Sequence, residues 1–311
     1  MASQVITRDE NFAHEHDIGN LYYIPSPYGV SVQSMEGDVK PLIINCAITG
    51  NHHMKDANSH LPVTPDEIIA DAIAVCKAGA SIVHIHARDI HGKPSWNPDI
   101  YTKIFDGIRS ECDIIICAST SGRVFRNMFQ RRAVLEAGPD MASLTLGSPM
   151  FILNDSVGVN KHSDIVELLK EMKDCSVKPE LEVFEPGMIH YSTYLMDEGI
   201  LDRDRPYYSL MLGSLGNMPG HPDDIKMMVG YIPPDSIISA AGIGKYHNGV
   251  AMAATIFGHH VRIGLEDSLY MDHISMTPAT NVKQVESVVW YANSIGRPIA
   301  TPKEARDMLG L

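Results

Sequence analysis

The chain has 311 residues, long for one ordinary domain but compatible with an α/β barrel of about 250 residues plus an extension. Apolar residues make up 44% and charged residues 20%, and no apolar run approaches the roughly 20 residues of a spanning helix, which excludes a membrane class. A formal charge of −13 without clustered Lys and Arg excludes nucleic acid or an anionic membrane as the main partner; the N-terminus MASQVITRDENFAHEHD lacks the regions of a signal peptide, so a cytoplasmic location is expected.

Residues 1–40, which include LYYIPSPYG, show no clear period and are expected to form an arm, a lid or a subunit contact. From residue 41 onward, short β-rich apolar runs alternate with segments of helical period. The strand candidates are PLIINCAIT (41–49), IVHIHARD (82–89), DIIICAST (113–120), MASLTLG (141–147), PELEVFE (179–185), YYSLML (207–212), SIISAAGIG (236–244) and HVRIGLED (260–267). Each is followed by a helix candidate. Thr64 with Pro65 and Asn97 with Pro98 read as helix starts, while Gly79, Gly187, Gly258 and Gly296 fall where a helix should stop or a turn begin. Thr301 to Leu311 reads as a terminal helix begun by Pro302. Eight βα units without a composition break predict a closed (β/α)₈ barrel over residues 41–311, with an open doubly wound sheet as the competing topology.

The five cysteines, Cys46, Cys76, Cys112, Cys117 and Cys175, lie mostly in apolar runs without disulfide or zinc-thiolate spacing, and are expected to be reduced core residues. In a barrel the active site lies at the C-terminal ends of the strands. Alternation puts His84 and His86 on one face of their strand, pointing inward, while Val83 and Ile85 face the helices. Two buried imidazoles need partners, either backbone and carboxylate groups or a shared divalent metal. A metal needs a third ligand, and the acidic candidates at strand ends are Glu182, Glu185, Glu266 and Asp267. Other histidines serve this role poorly: His14 and His16 lie in the polar arm, and His52 with His53 and His259 with His260 are adjacent, so their rings diverge in an extended chain. AAGIGKYH lacks phosphate-loop spacing, which removes a nucleotide hydrolase.

The ordered set NCAITG, VHIHARD, CASTSG, PDMASLTLG, PELEVFEPGM, AGIGKYH and HVRIGLEDS resembles the β-keto acid cleavage enzymes, typified by 3-keto-5-aminohexanoate cleavage enzyme, from about Pro41 to the C-terminus. The resemblance implies a zinc-dependent (β/α)₈ barrel that converts a β-keto acid and acetyl-CoA into acetoacetate and a new acyl-CoA. It implies that His84, His86 and Glu266 are the metal ligands, Asp267 the general base and Arg262 its electrostatic partner. Ser119, Thr120 and Gly122 would then bind the substrate carboxylate, Ser143 would replace a family threonine, and Glu182 would lie near the substrate's variable end. His52 stands where the founding member carries a glutamate for its substrate's amino group, so that substrate is not implied here. A homo-oligomer, a tetramer in the family, is also implied.

Alternation by itself places Arg262 and Glu266 on one face and Asp267 on the other, so the last strand must bend or end near Glu266 for both carboxylates to serve one site. Two other functions compete. A metal-dependent aldolase or lyase without CoA would use the same metal and base. A catalytically silent barrel that binds a small acid would have no need for both histidines together with Arg262, Glu266 and Asp267.

Overall fold

The computed structural model describes residues 40–124, 127–152 and 155–311. Almost all of the arm expected over residues 1–40, including His14, His16 and LYYIPSPYG, lies outside the described residues.

Eight strands pair in parallel and close on themselves, which removes the open-sheet alternative. They are β1 (Ile44–Thr49), β2 (Ile82–Ile85), β3 (Ile115–Ala118), β4 (Met141–Thr145), β7 (Lys178–Val183), β8 (Tyr207–Leu212), β9 (Ile237–Gly242) and β10 (His260–Ile263). A two-stranded antiparallel hairpin, β5 (Met150–Phe151) and β6 (Ser156–Val157), interrupts the alternation after β4 and was not expected. Several strands stop short of their sequence ranges: β2, β3 and β10 end at Ile85, Ala118 and Ile263, so His86, Ser119, Glu266 and Asp267 lie just beyond strand ends. That leaves these side chains on the βα loops at the mouth of the barrel.

The helices are α1 (Pro65–Ala78), α2 (Pro98–Arg109), α3 (Met128–Ala133), α4 (His162–Asp174), α5 (Pro186–Asp197), α6 (Pro222–Val229), α7 (His247–Ile256), α8 (Asn281–Ser294) and α9 (Pro302–Leu309). The expected starts are present: Thr64 accepts from Glu67 N and completes a capping box, and Asn97 accepts from Asp99 N. Thr301 does the same for α9. Gly79, Gly258 and Gly296 follow helix ends with positive φ, but Gly187 lies inside the first turn of α5 and ends nothing.

The barrel interior is layered. Ile43, Ile82, Ile115, Cys117, Met141 and Tyr207 fill its lower half, and Ala305 and Leu309 of α9 pack against them from below. Above this apolar plug the inward positions become polar: Asn45, His84, Glu180, Arg262, then Glu182 and His86. A second apolar shell, Leu42, Ile44, Val83, Ile85, Ile116, Leu181, Val183 and Val261 among others, joins the strands to the helices. The floor is therefore apolar and close-packed, and the chemistry-bearing groups lie in the upper half. The cysteines are unpaired; Cys46 and Cys117 are buried, whereas Cys175 is exposed just past α4 and is not a core residue as expected. No described helix is long and apolar enough to cross a membrane.

Candidate active site

His84 points into the barrel from β2 and His86 follows at the strand's end, with 1% and 7% of their surface exposed and their rings 5.3 Å apart. Glu180, inward on β7 and fully buried, sits 3.2 Å from His84 Nδ1. A carboxylate there fixes the tautomer: Nδ1–H donates to Glu180, and the Nε2 lone pair faces the mouth. Glu180 also accepts from Asn45 Nδ2 at 2.9 Å and Cys117 Sγ at 3.1 Å, so its own position is held from three sides.

Glu266 and Asp267 reach the same space because β10 ends before them. Gly264 has φ +150°, and a Cβ there would stand 2.1 Å from the Ala47 carbonyl oxygen, so only glycine lets the two backbones touch. The chain then turns: Asp267 N and Ser268 N both donate to Gly264 O, Leu265 N donates to Asn281 Oδ1, and Glu266 N donates to Ala47 O. Leu265 is drawn into a small apolar cluster with Leu61, Val63 and Ala279. The bend demanded by alternation is thus present, and both carboxylates enter the barrel mouth.

There Glu266 Oε1 lies 3.1 Å from His86 Nε2, and Oε2 lies 3.7 Å from His84 Nε2. Arg262, 1% exposed, grips Asp267 with two bonds, Nε to Oδ2 at 3.1 Å and Nη2 to Oδ1 at 3.2 Å. It also lies 3.2 Å from Glu182, 3.4 Å from Glu266 and 3.9 Å from Glu180. Four carboxylates around one guanidinium leave a formal charge of −3 in a buried region, if the imidazoles are neutral. Burial alone would raise every carboxylate. Glu180 is nonetheless held down to about 2 by His84 and Arg262, and Glu266 is held far below the usual carboxylate range by His86, Arg262 and His84. Asp267 is pushed up to about 6 by burial and by Glu266 against the pull of Arg262, and Glu182 is raised mainly by burial. Burial and Arg262 lower His84, but Glu266 and Glu180 outweigh them and raise it; His86 is lowered by burial.

The donor set fits a divalent cation. The ligand atoms of His84, His86 and Glu266 lie within 4.8 Å of one another. Two donors on a tetrahedral zinc stand roughly 3.3–3.5 Å apart, which the observed 3.1 and 3.7 Å bracket. Among the described residues neither His84 Nε2 nor Glu266 Oε2 has a hydrogen-bond partner, and a cation between them would satisfy both while reducing the negative excess. A second grouping, His84, Cys117 and Glu180, lies one layer deeper and is already joined by hydrogen bonds.

The site opens into a cavity of about 590 Å³. Of the residues singled out in the sequence, His52, His86, Ser119, Gly122, Glu182, Arg262, Glu266 and Asp267 line it. Ser119 Oγ accepts from Ser121 N at 3.3 Å, and Glu182 accepts from Thr145 Oγ1 at 2.7 Å. Thr120 and Ser143 do not line it: the Thr120 hydroxyl donates to Ser143 O, and Thr120 N donates to Ser143 Oγ, so the pair braces β3 against β4 behind the wall. Gly122 packs where a Cβ would meet Val159 O at 2.8 Å and Arg131 Nη1 at 3.1 Å. Glu185 is exposed at the start of α5 and takes no part. Residues that sequence reasoning missed are Glu180, Arg123 and Phe151. For Glu180 a signal existed, since it alternates with Glu182 on one face; nothing local marked the other two.

The family model described as beta-keto acid cleavage enzyme matches residues 41–311. A 3-keto-5-aminohexanoate cleavage enzyme of Fusobacterium nucleatum is 36% identical over 88% of this chain and 99% of its own length. A 3-dehydrocarnitine:acetyl-CoA trimethylamine transferase of Rhizobium meliloti and a 3-oxoadipate:acetyl-CoA acetyltransferase of Cupriavidus necator are each 33% identical over 88% of this chain, and 97% and 95% of their own lengths. Among solved structures, a ternary complex of ObcA with C4-CoA adduct and oxalate superposes with a TM-score of 0.69 at 23% identity, covering 81% of this chain and 68% of that one, a likeness of fold.

Proposed function

The chain belongs to the beta-keto acid cleavage enzyme family, and from that premise we propose that it is a zinc-dependent acyltransferase that converts a β-keto acid and acetyl-CoA into acetoacetate and a new acyl-CoA. The observation that carries this reading is the convergence of His84, His86 and Glu266 beside an Asp267 that Arg262 holds with two bonds, with His86, Glu266, Asp267 and Arg262 all lining one cavity.

His84 Nε2, His86 Nε2 and Glu266 would hold the metal, which supplies Lewis-acid polarisation of the keto acid's oxygens when bound. Asp267 removes a proton from the carbon between the two carbonyls. In the metal-free site, burial and Glu266 raise its carboxylate to about 6, so that it is ionised at neutral pH yet more basic than an exposed one. Arg262 keeps that carboxylate from swinging away and offsets its charge. Ser119, at the mouth, offers a hydroxyl to the substrate carboxylate. The enolate attacks the thioester carbonyl of acetyl-CoA and expels the CoA thiolate; the thiolate adds to the former keto carbon, the bond between that carbon and the enolate carbon breaks, and the resulting acetoacetate enolate takes back the proton from Asp267. Acetoacetate and the new acyl-CoA leave, and no covalent enzyme nucleophile is required. Cys117 is buried below the cavity, where it donates to Glu180.

The family likeness also supports a homo-oligomer, with a tetramer expected in light scattering. The test of the reaction is to incubate the zinc-loaded protein with acetyl-CoA and a panel of β-keto acids and to detect both products by mass spectrometry. Matched formation of acetoacetate and acyl-CoA supports the reading. Carbon–carbon cleavage without CoA transfer contradicts it and favours an aldolase.

A further inference from the structure

We propose that the outer half of the cavity is an anion subsite, in which Arg123 flanked by His52 and His53 receives a second carboxylate at the far end of the β-keto acid, so that the enzyme prefers 3-oxo dicarboxylates. The inference rests on the β-keto acid reading above and names which members of that substrate class fit.

Charge is unevenly distributed along the cavity wall. The carboxylates that line it, Glu182, Glu266 and Asp267, all sit at the inner end around Arg262. Elsewhere among the described lining residues there is no Asp or Glu, whereas Arg123, Lys245, His52, His53 and His273 all face the cavity. A cationic side chain on the substrate would meet the like charge of Arg123; an anionic one would meet a guanidinium in a partly desolvated site, where such a pair is strongest.

Arg123 is also held in place. Its guanidinium carbon stacks 3.9 Å from the centre of the Phe151 ring, and Phe151 in turn meets Phe184 edge to face at 5.9 Å. Phe151 arrives on the β5–β6 hairpin, an excursion from regular βα alternation, so that hairpin supplies the plate on which the guanidinium lies. Stacking covers a face of the guanidinium, while its N–H donors lie in the plane and match the fork of a carboxylate. His52 and His53 are close enough for the Arg123 charge to lower both, after burial, with His52 brought down to about 4. At neutral pH each therefore presents a neutral ring with one N–H to donate.

The test compares 3-oxoadipate with 3-oxohexanoate, six-carbon acids that differ in the distal carboxylate, on the zinc-loaded wild type, Arg123→Met and Arg123→Lys. The wild type is expected to favour the diacid in kcat/KM by at least about tenfold, and Arg123→Met to reduce that ratio about tenfold to a hundredfold, the range for a charge-assisted hydrogen bond. Arg123→Lys should restore part of the ratio, which a merely misfolded variant would not do. An unchanged ratio in Arg123→Met overturns the proposal. So does a rise confined to the KM of acetyl-CoA, which would assign Arg123 to the phosphates of CoA. If neither acid is turned over, the panel of other β-keto acids tests the cleavage reading separately. Calorimetric binding of 3-oxoadipate then decides the subsite, with binding at least about tenfold weaker in Arg123→Met supporting it and equal binding overturning it.

Discussion

Replacing Glu180 with glutamine tests how the buried charge cluster serves the metal. Glu180 touches no part of the cavity, yet it fixes His84 Nδ1 at 3.2 Å while taking bonds from Asn45 and Cys117. Glutamine keeps the shape but turns one acceptor into a donor. If the amide nitrogen faces His84 and Cys117, which share Oε2, the ring must carry its proton on Nε2 and loses the lone pair aimed at Glu266; if it faces Asn45, that buried donor loses its acceptor. The negative charge that favours metal binding through the imidazole is lost in either case. Substitution of such an orienting carboxylate costs about 10–100-fold in metal affinity, or about 1.4–2.7 kcal/mol. The metal-free protein should suffer less, because the cluster falls from a formal −3 to −2 and Arg262 retains Glu182, Glu266 and Asp267. Competition for zinc against a chromophoric chelator measures the affinity, and thermal unfolding of the metal-free form measures the control. Zinc affinity within about twofold of wild type would refute the claim that Glu180 sets the tautomer of His84.

Asp267→Asn should retain zinc and lose about 10²–10⁴-fold in kcat, measured as acyl-CoA formation, because the amide cannot take the proton; activity near wild type would remove Asp267 from that role. Gly264→Ala should destabilise the fold by at least about 1–3 kcal/mol in urea unfolding, because the new methyl would collide with the Ala47 backbone at a positive φ; a neutral effect would mean that the β10 turn is not pinned there. His260 is buried and held neutral, far below its ordinary value through burial and then Arg297, and its Nδ1 accepts from Ile43 N at 2.9 Å. Its folded pKa lies below the unfolded one, so below pH 6.5 the unfolded chain binds the extra proton and stability falls with pH. His260→Asn keeps an acceptor without the titration, so relative to wild type it should gain about 1.4 kcal/mol for each pH unit below 6.5; a pH-independent difference contradicts this.

The barrel was legible because its strands carry their own punctuation: β-branched runs, caps at Thr64 and Asn97, and glycines past the helix ends are local signals. The inward pair His84 and His86 was legible for the same reason, since alternation is a property of consecutive residues. The placing of both Glu266 and Asp267 in the site was legible only as a condition. What meets it is the contact of Gly264 with Ala47, residues more than two hundred positions apart. Strand ends were overestimated because the apolar pattern runs past the last ladder bond into the loops that bear the site. The β5–β6 hairpin has only two residues in each strand, too few to show a period, and Arg123 gains its stacking partner through it. Thr120 and Ser143 were assigned to the substrate from motif position, but their hydroxyls are engaged with each other's strand, a pairing that depends on how β3 and β4 align.

The most direct test of the metal site is a crystal of the zinc-loaded protein measured at the zinc absorption edge. The account predicts one strong anomalous peak about 2.0–2.2 Å from His84 Nε2, His86 Nε2 and a Glu266 oxygen together. A zinc ion bound to other residues, or no peak among these three in protein that retains activity, would contradict it.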